Sequence, residues 1–333
     1  MTLLSADALL EVRGLQTWFP IRSGVLRRVS GAVRAVDGVD LTVYPGETLA
    51  LVGESGCGKT TVGRTLLRLV EATAGNIWFG GVNLTRLTGE AFRPYRQKMQ
   101  IVMQDPGAAL DPRLTVRDAI AEGMDAFGLG ASADERTQRV ADLMRRVSLD
   151  PELMWRYPHE FSGGQRQRIS IARALAVEPV LLICDEATSA LDVSIQAQII
   201  ALIKRLCRQR GTSVMLITHD MGVIAETADR VAVMYAGRIA EVGPVRDVVR
   251  QPHHPYTRGL MGAIPSAEAA PSARLTQIPG AMPRLTAIPQ GCAFNPRCPH
   301  VFDRCKVQRP EPMPAGSSRA ACWLVAHDAG ARL

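Results

Sequence analysis

No stretch of this chain approaches the roughly 18 uninterrupted apolar residues that span a bilayer; the apolar run Val180 to Cys184 is soon ended by Asp185. The amino-terminal segment lacks the basic start, apolar run and cleavage site of a secretory signal, so the expected location is cytoplasmic. No internal repeat is visible, which argues against a solenoid or a propeller. No C-x-x-C pair occurs among the seven cysteines, which weakens a structural zinc reading. The net charge of +7 and pI of 9.3 are not concentrated in one basic run. A solvated surface explains that spread better than a nucleic-acid or anionic-membrane footprint. What remains is an ordinary globular composition, 47% hydrophobic and 21% charged, in 333 residues that suffice for one large core or two modest ones.

Against these absences stands one dense motif. Gly53, Glu54, Ser55, Gly56, Cys57, Gly58, Lys59 and Thr60 match the P-loop pattern G-x-x-x-x-G-K-[ST]. Apolar Thr48 to Val52 reads as the strand feeding the loop, and a helix begins from Thr61. Glycines let backbone N–H groups converge on phosphate oxygens, and the helix N-terminus adds partial positive charge. Lys59 then holds the β- and γ-phosphates, and the Thr60 hydroxyl ligates Mg²⁺. A Gly-rich turn alone is often structural; the Lys-Thr pair between strand and helix points to phosphate.

Val39, Leu41 and Val43 alternate as an exposed strand does, and Gly80-Gly81 separates Asn76–Phe79 from Val82–Leu84 as a hairpin turn does. These predict an antiparallel β layer. Gln100–Met103, Val180–Cys184 and Val214–Ile217 are short apolar runs suited to parallel strands buried on both faces. Val140, Leu143, Met144 and Val147 recur at helical spacing. Helices are expected over Gln165–Val177, ended by Pro179, and Ile195–Arg210, ended by Gly211. Val231–Tyr235 and Arg238–Val242 suggest a second hairpin. From about Pro252 prolines multiply and periodicity fades. The expected fold is α/β: a P-loop NTPase core with a mostly parallel sheet and flanking helices, an antiparallel β subdomain and a helical subdomain over about 105–165. That nucleotide domain spans 1–250, and a small Cys-containing appendage spans 251–333.

Val180 to Asp185 followed by Glu186 has the form of a Walker B strand, with Asp185 holding Mg²⁺ through water and Glu186 polarising the attacking water. Carboxylates often merely cap strands, so the P-loop upstream is what gives the pair weight. Phe161, Ser162, Gly163, Gly164 and Gln165, directly before a helix, form either a second anion site or a plain N-cap with a flexible turn.

At this point the sequence resembles the ATP-binding subunits of ABC transporters, whose signature is usually L-S-G-G-Q; Phe161 replaces the leucine, a change in packing. The resemblance implies further roles. Gln104 matches the Q-loop glutamine that ligates Mg²⁺ or water, Ser189, Ala190, Leu191 and Asp192 match the D-loop, and His219 matches the switch histidine at the γ-phosphate. Singly, each reads equally as a strand-terminal Gln, a helix-capping Asp or a core His. Their order around one P-loop carries the resemblance. Trp18, Phe19 and Tyr44 are the aromatics near enough to stack adenine, and none stands clearly in register.

The tail Pro252-His253-His254-Pro255-Tyr256-Thr257 with Leu260 resembles that of oligopeptide and dipeptide importer ATPases. Cys292, Cys298, Cys305 and Cys322, with five, six and sixteen residues between them, read from residue type alone as metal ligands or as buried small hydrophobes. Their spacing is similar to members that hold a 4Fe-4S cluster, which the resemblance favours over zinc. It further implies ATP and Mg²⁺ as cofactors, a second ATPase subunit (typically a paralogue) clasping the same nucleotide, two transmembrane permease subunits and, indirectly, an extracytoplasmic solute-binding protein. The implied place is peripheral, on the cytoplasmic face of the membrane, and the cargo di- or oligopeptides, with glutathione, nickel or another small solute as alternatives. A soluble ABC ATPase acting on nucleic acid or ribosomes is the rival of different class; only 57 residues separate Gln104 from Ser162, too few for the long insertions of such proteins. The complete catalytic set argues against a non-catalytic regulatory subunit.

Overall fold

A computed structural model describes residues 7–24, 27–189, 191–263 and 278–330. Its strands are β1 (Leu10–Ser23), β2 (Arg28–Val43), β3 (Thr48–Val52), β4 (Ala74–Phe79), β5 (Val82–Asn83), β6 (Met99–Val102), β7 (Leu181–Asp185), β8 (Ser213–Ile217), β9 (Arg230–Tyr235), β10 (Arg238–Pro244), β11 (Met313–Ala315) and β12 (Ser318–Ala320). The helices are α1 (Lys59–Leu66), α2 (Gly89–Lys98), α3 (Pro106–Ala109), α4 (Val116–Phe127), α5 (Ala133–Arg146), α6 (Gly163–Leu175), α7 (Val193–Arg210), α8 (Met221–Thr227), α9 (Val245–Arg250), α10 (Pro255–Gly262), α11 (Asp303–Val307) and α12 (Trp323–Gly330). Two compact units emerge, one of 1–43, 49–85 and 218–333, the other of 44–48 and 86–217. The architecture is the expected α/β one.

In the first unit an antiparallel sheet runs in the order β2-β1-β4-β5. Val39, Leu41 and Val43 face its buried side, as their alternation requires. The β4–β5 turn uses Gly80 and Gly81, both at positive φ. A second set runs β11-β12-β10-β9-β3, with β3 parallel to β9 and Leu51 opposite Ala232. Ala50, Val52, Val231, Val233 and Tyr235 share one core with Tyr256 and Phe294 from the C-terminal region. The Tyr235 ring lies 4.6 Å from Tyr256 and meets Phe294 edge-on at 5.2 Å, the offset geometry that aromatic quadrupoles prefer. The strand that feeds the P-loop is therefore packed against the C-terminal region.

The segment around His253 and His254 is held by a buried carboxylate. Glu241 on β10 is fully buried and accepts the N–H groups of His253 and His254 at 2.9 Å each. The buried His254 ring turns its Nδ1 to accept the Tyr256 N–H at 3.0 Å and so caps α10. Burial pushes its pKa down to about 4, so the ring is neutral and free to accept.

In the second unit β8, β7 and β6 run parallel, with Asp185 opposite Ile217. β7 and β8 are buried along their whole length, which explains the apolar runs Leu181–Cys184 and Val214–Ile217 within them. Thr115 and Ser132 cap α4 and α5 by accepting the N–H groups of Asp118 and Glu135. Helix α6 starts at Gly163, two residues before the expected Gln165, because Ser162 sets its cap; it ends at Leu175 rather than Val177. Helix α7 ends at Arg210, where Gly211 takes φ +67°. No described helix is long and apolar enough to cross a membrane.

Candidate nucleotide site

Two glycines of the P-loop are dictated by the fold around them. A Cβ on Gly53 would lie 2.2 Å from the Met234 carbonyl oxygen, and one on Gly58 2.0 Å from that of Ala35. Both residues also hold positive φ. Only glycine allows the loop to thread between β9 and β2. Gly58 is the N-cap of α1, and Cys57 is buried beneath the loop with its thiol pKa pushed up by burial. Ser55 and Gly56 are exposed. The buried Lys59 ammonium donates to the Gly53 carbonyl at 2.8 Å and the Glu54 carbonyl at 3.2 Å, so its charge is held over the loop. Thr60 and Thr61 are half-buried in the first turn of α1.

The second position of the loop is tied to the C-terminal region. The Glu54 N–H donates to the Tyr256 hydroxyl at 2.8 Å. Its carboxylate accepts both arms of the Arg297 guanidinium, Nη1 to Oε2 at 2.7 Å and Nη2 to Oε1 at 2.9 Å. Arg297 also donates through Nε to Pro279 and through Nη1 to the Tyr235 hydroxyl, and is itself buried. A second clamp joins the buried Asp37 of β2 to Arg238 and to Arg309. Sequence reasoning found neither, since partners 243 positions apart leave no local signal.

In the second unit Asp185 is buried at the end of β7. Glu186, next in the chain, sits at φ +45°, a conformation that costs a non-glycine residue of order 1–3 kcal/mol. Its backbone is pinned: the N–H donates to Ile217 at 2.9 Å, and its carbonyl accepts the N–H and hydroxyl of Ser189 at 3.1 Å each. The Gln104 amide donates to the Ser189 hydroxyl at 3.1 Å, so the structure brings the expected Q-loop glutamine to the expected D-loop. Ala190 lies outside the described residues. Leu191 packs toward Gly163, within 3.5 Å of where a Cβ there would stand, and the exposed Asp192 is the N-cap residue of α7 with no side-chain cap bond.

The signature residues form a capping box: the Gln165 N–H donates to the Ser162 hydroxyl at 3.3 Å, and the Ser162 N–H donates to the Gln165 side chain at 2.9 Å. The N-cap reading is thus realised. It leaves Ser162 and Gly163 exposed at a helix N-terminus, the arrangement that receives an anion. Phe161 is buried and fills the leucine position by packing. In the first unit His219 is exposed, just before α8. Of the candidate adenine aromatics, Trp18 lies under the Arg34 guanidinium at 4.8 Å, Phe19 is exposed, and Tyr44 belongs to the second unit.

The expected four-cysteine metal centre is not formed as a ligand group: among the described residues no three His, Cys, Asp or Glu side chains converge so as to hold a metal ion. Cys292, Cys298, Cys305 and Cys322 instead line one pocket together with His254 and His300. Burial raises the Cys292 thiol to about 11 and that of Cys322 to about 12, so both are protonated at neutral pH. Gly291 sets Cys292 against Cys305, whose carbonyl would stand 2.3 Å from a Cβ there.

Residues 36–189 match the family model described as ABC transporter, and 240–305 match that of the oligopeptide/dipeptide transporter C-terminal region. The chain is 44% identical to a probable peptide ABC transporter ATP-binding protein of Sinorhizobium fredii, over 98% of this chain and 93% of that one. It is also 44% identical to the oligopeptide transport ATP-binding protein AppF of Bacillus subtilis, over 97% and 99%. A glutathione import ATP-binding protein of Salmonella typhimurium is 52% identical over 80% of this chain, which spans 43% of that relative's length. Among solved structures, a dimeric post-hydrolysis state of the ATP-binding cassette MJ0796, bound to ADP and Pi, superposes with a TM-score of 0.64 at 26% identity, covering 71% of this chain and 99% of that one.

Proposed function

Because the chain belongs to the ABC transporter ATP-binding proteins of the oligopeptide/dipeptide type, we propose that it is the ATP-hydrolysing motor subunit of an importer for di- or oligopeptides. The observation that carries the reading is the pairing of two different loops in one chain: a P-loop with a buried lysine, and a helix start at which Ser162 and Gly163 are exposed. Lys59 and the α1 N-terminus take the phosphates. Ser162, Gly163 and Gly164 close on the γ-phosphate held by a second ATPase subunit, with Gln104, Ser189, Leu191 and Asp192 at that junction. Glu186, its backbone pinned by Ile217 and Ser189, orients the attacking water, and His219 contacts the γ-phosphate. Thr60 in the first unit, and separately Gln104 and Asp185 in the second, carry oxygen donors of the kind Mg²⁺ takes. When bound, that ion neutralises charge on the β- and γ-oxygens. The permease subunits and the cytoplasmic membrane face complete the proposed setting. The 52% identity to a glutathione import protein favours glutathione as the second cargo reading.

Glu186→Gln should leave ATP binding intact and lower turnover about a hundredfold or more; unchanged turnover would remove Glu186 from the mechanism. Copurification with permease subunits and solute analysis of the bound binding protein tests the cargo.

For Cys292, Cys298, Cys305 and Cys322, which line one pocket without forming a ligand group, we propose a 4Fe-4S cluster on the spacing resemblance alone, with zinc as the alternative. Its role would be structural, stapling a Pro-rich tail. Anaerobic purification followed by iron and sulfide analysis should find both; stoichiometric zinc in a colourless protein would reverse the assignment.

A further inference from the structure

The P-loop carries an acidic side chain at its second position, beside the place where several phosphate charges are to be received. A bare carboxylate there would oppose the ligand. In this structure it is not bare: Arg297 meets Glu54 through two parallel bonds of 2.7 and 2.9 Å, the bidentate form that is strongest and most directional. Arg297 is held in turn by the Pro279 carbonyl at 2.8 Å and the Tyr235 hydroxyl at 3.3 Å, with Tyr235 and Phe294 rings under its guanidinium. Its own position is therefore fixed independently of Glu54. The Tyr256 hydroxyl accepts the Glu54 N–H, a second tie from the same region to the same residue.

We propose that Arg297 is a positioning residue of the nucleotide site, which neutralises Glu54 and fixes the second residue of the P-loop, so that ATP affinity depends on the C-terminal region. This rests on the nucleotide reading above. Arg297 does not touch phosphate; it acts through Glu54. Two consequences separate it from general support of the fold. Removing Arg297 exposes a negative charge, so the loss of affinity should shrink as salt is added. Removing the charge of Glu54 as well should recover most of what Arg297→Ala loses, because the repulsion is gone.

The test is binding of methylanthraniloyl-ATP to the full chain by fluorescence titration, with thermal unfolding measured on every variant. Arg297→Ala should weaken binding about tenfold at low salt, less at 0.5 M salt, and Glu54→Gln/Arg297→Ala should bind within about threefold of the parent. Should Arg297→Ala not fold, Arg297→Lys, which keeps the charge and loses the fork, is read in its place, with about a threefold loss expected. Parent-like binding by the folded Arg297 variant, or a double variant no better than Arg297→Ala, overturns the clamp. Lys59→Ala separates the two readings. If it binds as the parent does, the nucleotide site itself is wrong; if it alone loses binding, only the clamp falls.

Discussion

The two loops proposed to receive phosphate, the P-loop and the signature loop, are built on opposite principles. In the P-loop, Gly53 and Gly58 are glycines because the protein's own backbone stands within 2.2 and 2.0 Å of a would-be Cβ, and the loop is tied to Tyr256 and Arg297. In the signature loop, a Cβ on Gly163 would meet nothing closer than Leu191 at 3.5 Å, although one on Gly164 would stand 3.0 Å from Ile195, and the loop is fastened by local bonds: its capping box, the Phe161 N–H to Pro158 and the Arg166 side chain to the Phe161 carbonyl. The first loop is finished by its own fold. The second has room at Gly163 that its own fold does not use, which is what a loop completed by another molecule requires.

The sharpest way to break the comparison is at Gly58. Gly58→Ala should destabilise the chain by about 3 kcal/mol and abolish nucleotide binding, read by urea unfolding and analogue titration; a folded, ATP-binding Gly58→Ala would mean the close approach to Ala35 is not a constraint. Ser162→Ala should cost only about 1 kcal/mol, the worth of one N-cap, and leave ATP binding by the separate chain unchanged. A larger loss of stability would show that the signature loop too is braced by the fold.

How much of this could be read from residues alone follows from range. The P-loop, the Gly80-Gly81 and Ala236-Gly237 turns and the Gly211 helix stop are contiguous signals, and local backbone chemistry made them legible. Ser162 was legible as an N-cap or an anion site, because a serine before two glycines at a helix start suits both; the reciprocal Gln165 bond was not read. The Glu54–Arg297 and Asp37–Arg309 pairs were not, since nothing local marks which of many arginines is buried. The three-residue strands β11 and β12 were also hidden, being too short for a period-two pattern and interrupted by Pro314. Expecting the cysteines as ligands of a formed centre outran the geometry, which gives them a pocket in common but no ligand group.

The difference between the loops is tested most directly at Gly163, whose replacement by alanine is sterically permitted. ATP binding and thermal stability should be measured on the Gly163→Ala chain by itself, and ATP turnover on the assembled transporter that carries it. The account predicts parent-like binding and stability with turnover reduced about a hundredfold; full turnover, or binding lost together with turnover, would contradict it.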